Sequence, residues 1–212
     1  NLSTFSISEV TSYPFNVSPA EMATLCLPFN VVMAENMYAY DFTVSNIKDG
    51  EEAGEYVCTM KVIANPGETL KAGTPVIISA PQGSYNLAIN FGAQDVKTSL
   101  NGSVLRGNFV KQTLVQEDDA AKFIFAKGPS GVGFYRMQEE GGSINANKCW
   151  MEWNVTNMPS DAQALTIRFE NPTAVTTIIE TQKPESIYDI TGRKLSKSQH
   201  GINIINGKKV IL

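Results

Sequence analysis

Histidine is almost missing from this chain of 212 residues, His200 being its single copy. Cysteine is scarce too: Cys26, Cys58 and Cys149 show no CxxC spacing. A structural zinc site wants about four Cys or His ligands, so none is expected. Cys26 and Cys58 lie in apolar runs and Cys149 sits beside Trp150, and all three are expected as small buried hydrophobes rather than partners in a bridge. An excess of positive charge is lacking as well. The 17 Lys and Arg against 21 Asp and Glu give a formal net charge of -4, and without a basic face no nucleic-acid partner is expected. No apolar stretch approaches the roughly 18 residues that a membrane span needs. No export signal heads the chain, so Asn1 reads as the start of a mature form. No cofactor motif is present either. Gly128-Pro-Ser-Gly131-Val-Gly133 is glycine-rich, but the Lys-Ser/Thr and helix of a phosphate loop do not follow it, and it reads as a hairpin turn.

Helical periodicity is the last thing missing, and what replaces it is alternation. Tyr38, Tyr40, Phe42 and Val44 alternate with small or polar residues, as do Tyr85, Leu87, Ile89 and Phe91. Tyr56, Cys58, Met60, Val62 and Ala64 share one predicted face, and Leu165, Ile167 and Phe169 another. A period of two puts one side of a strand on a core and the other in water. Turn chemistry falls between these runs at Asp49-Gly50, Pro66-Gly67, Asn101-Gly102 and Gly141-Gly142. A hydrophobic content of 42% with 18% charged residues is ordinary for a globular chain. These features predict an all-β protein: an antiparallel β-sandwich or jelly-roll-like body over residues 1–171, then a connector and a small β-hairpin tail over 172–212.

The tail carries the most distinctive pattern: Ile187-Tyr188-Asp189, Gly192-Arg193, a polar spacer, then Gly201-Ile202 and Asn206-Gly207-Lys208-Lys209. Asn206-Gly207 is the strongest two-residue hairpin signal, because both turn positions require positive φ. This pattern resembles the C-terminal tail of Bacteroidetes-type secreted and cell-surface proteins, related to the type IX sorting domain. Phrases of the body, taken in order, resemble a β module of the same proteins: Met22–Phe29 followed by Tyr38–Tyr40, Leu70–Ile77, Asn101–Asn108, Gly131–Tyr135 and Ile144–Cys149. Cys26 stands where the family phrase has Tyr and Cys149 where it has Ala, which favours packing roles for both. The resemblance implies an extracellular or cell-surface location, contact with secretion machinery through the tail, and no catalytic residues. A type IX sorting domain is a complete small sandwich and this tail is shorter, so a structural tail that completes the fold stays open beside a sorting signal.

Candidate chemistry is sparse. His200 lies in a polar spacer and reads as a solvated loop residue, not a triad member. Glu51-Glu52, Asp118-Asp119 and Glu139-Glu140 are adjacent acids in or beside predicted turns, where carboxylates usually meet water rather than flank a glycosidic bond. Sugar-binding modules stack exposed aromatic rings on pyranoses, which makes Trp150, Trp153 and Tyr135 the ligand-binding candidates. The odd spacing of the two tryptophans sends them to opposite faces of a strand, so at most one is expected in the core. The reading is a non-catalytic C-terminal module acting in surface display, in adhesion or as a scaffold, with a glycan or surface protein as partner. A carbohydrate-binding module of a secreted polysaccharide-degrading protein is the alternative.

Overall fold

The computed structural model describes residues 10–50, 55–138 and 141–170 and, further on, the strand residues 187–189, 194–195, 202–205 and 208–211. The chain divides into two compact units, Asn1–Pro172 and Thr173–Leu212. The first runs through β1 (Ser12–Val17), β2 (Met22–Leu25), β3 (Val31–Val32), β4 (Tyr38–Asp41), β5 (Ile47–Asp49), β6 (Glu55–Ala64), β7 (Thr69–Leu70), β8 (Val76–Ser79), β9 (Gly83–Ala88) and β10 (Val96–Lys97). It continues through β11 (Leu105–Gly107), β12 (Gln112–Leu114), β13 (Ala120–Gly128), β14 (Gly131–Arg136), β15 (Gly142–Ile144), β16 (Cys149–Asn154) and β17 (Ala164–Phe169). Single 3-10 turns at Val44–Asn46 and Val155–Asn157 are the only helical elements among the described residues. The protein is all-β.

Ten strands form the main sheet, in the order β11-β16-β13-β14-β17-β6-β4-β8-β2, with β5 also paired to β6. Strands twist, and an open sheet this wide tends to curl. Here it curls until its two ends meet. Just past β2, the Cys26 amide donates to the Asn147 carbonyl ahead of β16 at 3.2 Å. The Cys149 thiol at the start of β16 donates to Val76 O of β8 at 3.3 Å. Gly107 of β11 lies so close to Cys26 that a Cβ at this position would collide with its Sγ. The sheet is therefore nearly closed, like a barrel with one seam.

Two pairings depart from the antiparallel expectation: β6 with β17, and β7 with β10, are parallel. The alternation of Leu165, Ile167 and Phe169 specifies a face and says nothing of strand direction, which is why the sequence could not reveal the first of them. Inside the curl, Tyr40, Phe42, Met60, Phe123, Phe134 and Met151 are fully buried. Rings meet edge-on or tilted, Tyr40 with Phe169 at 4.5 Å and Phe42 with Phe134 at 5.6 Å between centroids.

A second core covers the outer face of the sheet around β2, β8 and β4. The β1–β9 ribbon and the small β10-β7-β3 sheet bring Phe15, Val31, Leu70 and Leu87 onto Ala39, Val76 and Ile78. Buried on both faces, β8 reads as the unbroken run Val76-Ile77-Ile78 instead of alternating. A register shift where β4 meets β6 leaves Ile63 as an extra residue between the Tyr40–Val62 and Ala39–Ala64 pairs. This bulge moves Ala64 into the outer core, away from the face it was expected to share with Tyr56, Cys58 and Met60. Phe91 also departs from its alternating run: β9 ends at Ala88, and the Phe91 ring is 79% exposed.

In the second unit, β18 (Ile187–Asp189), β19 (Lys194–Leu195), β20 (Ile202–Ile205) and β21 (Lys208–Ile211) form an antiparallel sheet in the order β19-β18-β20-β21. Ile205 pairs with Lys208 across the two-residue Asn206-Gly207 connection. Tyr188 pairs with Lys194 and Ile204, Asp189 with Asn203, and Lys209 with Ile204. Gly192, Arg193, Gly201 and Gly207 of the tail pattern lie outside the described residues, as do His200, Glu51-Glu52 and Glu139-Glu140.

Closure at the seam generates a test. Gly107→Ala places a methyl group against Cys26 and should destabilise the protein by about 1–3 kcal/mol in urea unfolding. Gly92→Ala, which meets nothing within 4 Å, should change stability by no more than about 0.5 kcal/mol.

Candidate functional site at the seam

Where the sheet ends meet, a cleft of about 350 Å³ opens. One wall comes from the end of β1, the β1–β2 connection and β2, with Asn16, Ser18, Met22 and Thr24. The opposite wall comes from the approach to β16, with Asn145, Lys148 and Cys149, while Ile124 and Phe125 of β13 supply an apolar side. The first wall is shaped by a tight turn in which the Glu21 amide donates to Ser18 O at 2.9 Å and Glu21 takes φ 54.

The second wall is held by Asn108, a buried side chain that serves as a clamp. Its amide nitrogen donates to Asn145 O at 2.9 Å and Val110 O at 2.7 Å, and its carbonyl oxygen accepts from the Lys148 amide at 3.0 Å. Asn147 within this turn takes φ 60, a left-handed conformation that Asn tolerates well. The Lys148 side chain is half-buried, and its ammonium donates to Thr24 O across the seam at 3.4 Å. No carboxylate pairs with it among the described residues, and burial pushes its pKa below the usual lysine value. The side-chain amides of Asn16 and Asn145 make no hydrogen bond among the described residues. The cleft thus combines two unengaged amides, hydroxyls, one unpaired cation and an apolar side.

The aromatic candidates sit elsewhere. Trp150 and Trp153 do point to opposite faces of β16, but both are buried, at 7% and 3% exposure, which corrects the expectation that at most one is in the core. The main sheet is covered on both sides here. Trp153 packs inside against Tyr56 and Phe123, whereas Leu114, Met137 and Ile144 cover Trp150 outside. The Trp150 indole donates to Glu152 Oε1 at 3.0 Å, and Glu152 pairs with Arg106 at 3.1 Å. Neither indole offers a free face for a sugar. Tyr135 is half-buried, its hydroxyl donating to Gly131 O at 2.7 Å and its ring lying over Gly128, so that it braces the β13–β14 hairpin. Among the described residues the exposed aromatic rings are Phe91, which alternation had set on an apolar strand face, and Phe109, which alternation did not single out.

Among the described residues no acidic group lines the cleft. Asp118 and Asp119 are exposed. Asp41 is fully buried at the end of β4 and accepts from the Phe42 amide at 2.7 Å, the Leu100 amide at 2.8 Å and the Ser103 hydroxyl at 2.6 Å. It ties the Asn101-Gly102 turn, and with it the entry to β11, to the centre of the sheet. Burial pushes its carboxyl above the usual aspartate value, against the opposing pull of Ser103, Leu100, Phe42 and Arg106. Lys122, buried in β13, donates to Val115 O at 2.7 Å and pairs with Glu117. Among the described residues no group of three or more His, Cys, Asp or Glu is arranged to hold a metal. All three cysteines are buried and unbridged. Burial pushes the Cys26 thiol up to about 11 and the Cys58 thiol up to about 12, with Cys149 raised as well.

The chain matches no protein-family model, no curated protein and no solved structure.

Two tests follow from these geometries. Neutral thiols inside the sheet react slowly, so Ellman's reagent should label no cysteine in the native protein near neutral pH and all three after unfolding. Asp41→Asn sets an amide N–H₂ among donors and should cost about 2 kcal/mol near pH 4. A carboxyl whose folded pKa exceeds its unfolded value stabilises fully below the unfolded value and loses that contribution as pH rises through the folded one. The stability gap between wild type and Asp41→Asn should therefore narrow as pH rises above about 4 in urea titrations.

Proposed function

We propose that this chain is a non-catalytic module of a secreted or surface-anchored bacterial protein, working in surface display, in adhesion or as a scaffold. The observation that carries the reading is the second unit, a four-stranded antiparallel sheet with β19 and β21 at its edges. Its sequence bears the Tyr188-Asp189, Gly192-Arg193, Gly201 and Gly207-Lys208-Lys209 pattern that resembles the tails of type IX cargo. Such a sheet presents unpaired backbone edges that secretion machinery can read by strand addition. Lys208 and Lys209 in the edge strand discourage indiscriminate pairing. The acids fit a non-catalytic role, since Asp41 spends its oxygens on internal donors and Asp118 and Asp119 face water.

The test is export. Deleting residues 173–212 from the full-length precursor, in a host with type IX secretion, should leave the protein folded inside the cell envelope and absent from surface and medium. Undiminished surface display of the truncated protein would refute the sorting role.

A second reading, glycan binding, is favoured by the seam cleft. Its unengaged amides beside an apolar side have the chemistry of a sugar site, because a pyranose presents hydroxyls at its rim and C–H bonds on its faces.

A further inference from the structure

We infer that the seam cleft binds a carboxylate-bearing sugar, a uronic or sialic acid unit, with the sugar carboxylate on the Lys148 ammonium and its hydroxyls on Asn16 and Asn145. This rests on the glycan-binding reading and specifies its ligand. Lys148 reaches into the cleft from the Asn108-clamped turn, and among the described residues the only hydrogen bond of its ammonium is the one to Thr24 O at 3.4 Å. With no carboxylate beside it among the described residues, this half-buried ammonium is an open position for an anion, since buried charges are ordinarily paired. One lysine offers a single point charge and matches one carboxylate. Phosphate groups are typically cradled by arginines or a helix N-terminus, and among the described residues neither lines this cleft.

The remaining lining suits the rest of an acidic sugar. Asn16 and Asn145 stand at the rim with both amides unengaged, each offering a donor and an acceptor to vicinal hydroxyls. Ile124, 40% exposed, and Phe125 offer an apolar surface to the ring's C–H face. The volume of about 350 Å³ lies at the lower end of the roughly 300–1,000 Å³ of small-molecule sites. That size fits a terminal sugar unit rather than the interior of a long polymer.

The experiment is titration calorimetry of the full chain with two acidic probes, digalacturonate and sialyllactose, each beside its neutral counterpart, galactobiose and lactose. At least one acidic probe should bind saturably and at least tenfold more tightly than its neutral counterpart, about 1.4 kcal/mol. The acidic probe that binds identifies the uronic or the sialic source. Lys148→Gln should lower that affinity at least tenfold. If losing the Thr24 contact unfolds this variant, Asn145→Ala decides instead: it changes an exposed side chain and should weaken the acidic probe severalfold with an unchanged thermal midpoint. Equal affinity for acidic and neutral probes, or acidic binding that ignores both substitutions, overturns the inference while leaving a glycan-binding module intact. Silence from all four probes overturns the inference and the glycan-binding reading together.

Discussion

The first unit depends on how its ten-stranded sheet ends. A wide twisted sheet has two edges, and each exposes backbone donors and acceptors that must be paired, covered or hydrated. Here the curl brings the β2 end to the β16 end. The Cys26 amide finds the Asn147 carbonyl and the Cys149 thiol finds Val76 O. The absence of a side chain at Gly107 lets the walls approach. Closure creates the enclosed space in which Tyr40, Phe42, Phe123 and Phe134 lose contact with water. At about 25 cal/mol per Å² of apolar surface, this burial is the main favourable contribution, and it requires the ends to meet.

Two buried polar side chains hold the geometry that closure needs. Asp41 anchors the turn leading into β11, and Asn108 anchors the turn leading into β16. Both act on the side of the sheet that must return to β2. Each satisfies backbone groups that would otherwise be stranded in a loop, so each acts through positioning rather than chemistry. The seam cleft follows from the same arrangement. Walls joined by few hydrogen bonds leave a gap beside them, and the turn fixed by Asn108 delivers Lys148 and Asn145 into it.

The sequence made the strand content and most of the buried faces legible, because alternation reports a half-buried strand directly. It misled where a second layer covers the sheet. Trp150 and Trp153 followed the parity rule onto opposite faces, yet Leu114, Met137 and Ile144 bury the face that parity alone leaves open. The bulge at Ile63 redirected Ala64, since one extra residue inverts every later side chain. The seam site was not legible at all. Asn16, Asn145 and Lys148 are ordinary polar residues far apart in the chain, and only the long-range return of β16 to β2 sets them around one gap. The sole local hint was the Ile144–Cys149 phrase, singled out for its resemblance and not for its lysine.

The proposed surface role and the cleft belong to separate units, a tail sheet with readable edges and a body with one small polar gap. The body's account stands or falls on seam closure, and amide hydrogen exchange followed by NMR tests it most directly. If the ends meet, the Cys26 amide, bonded to Asn147, should exchange as slowly as the amides of β8 and open with them as one cooperative unit. A Cys26 amide that exchanges at an unprotected rate while β8 stays protected would mean that the sheet is open at this place, and the account of both core and cleft would be wrong.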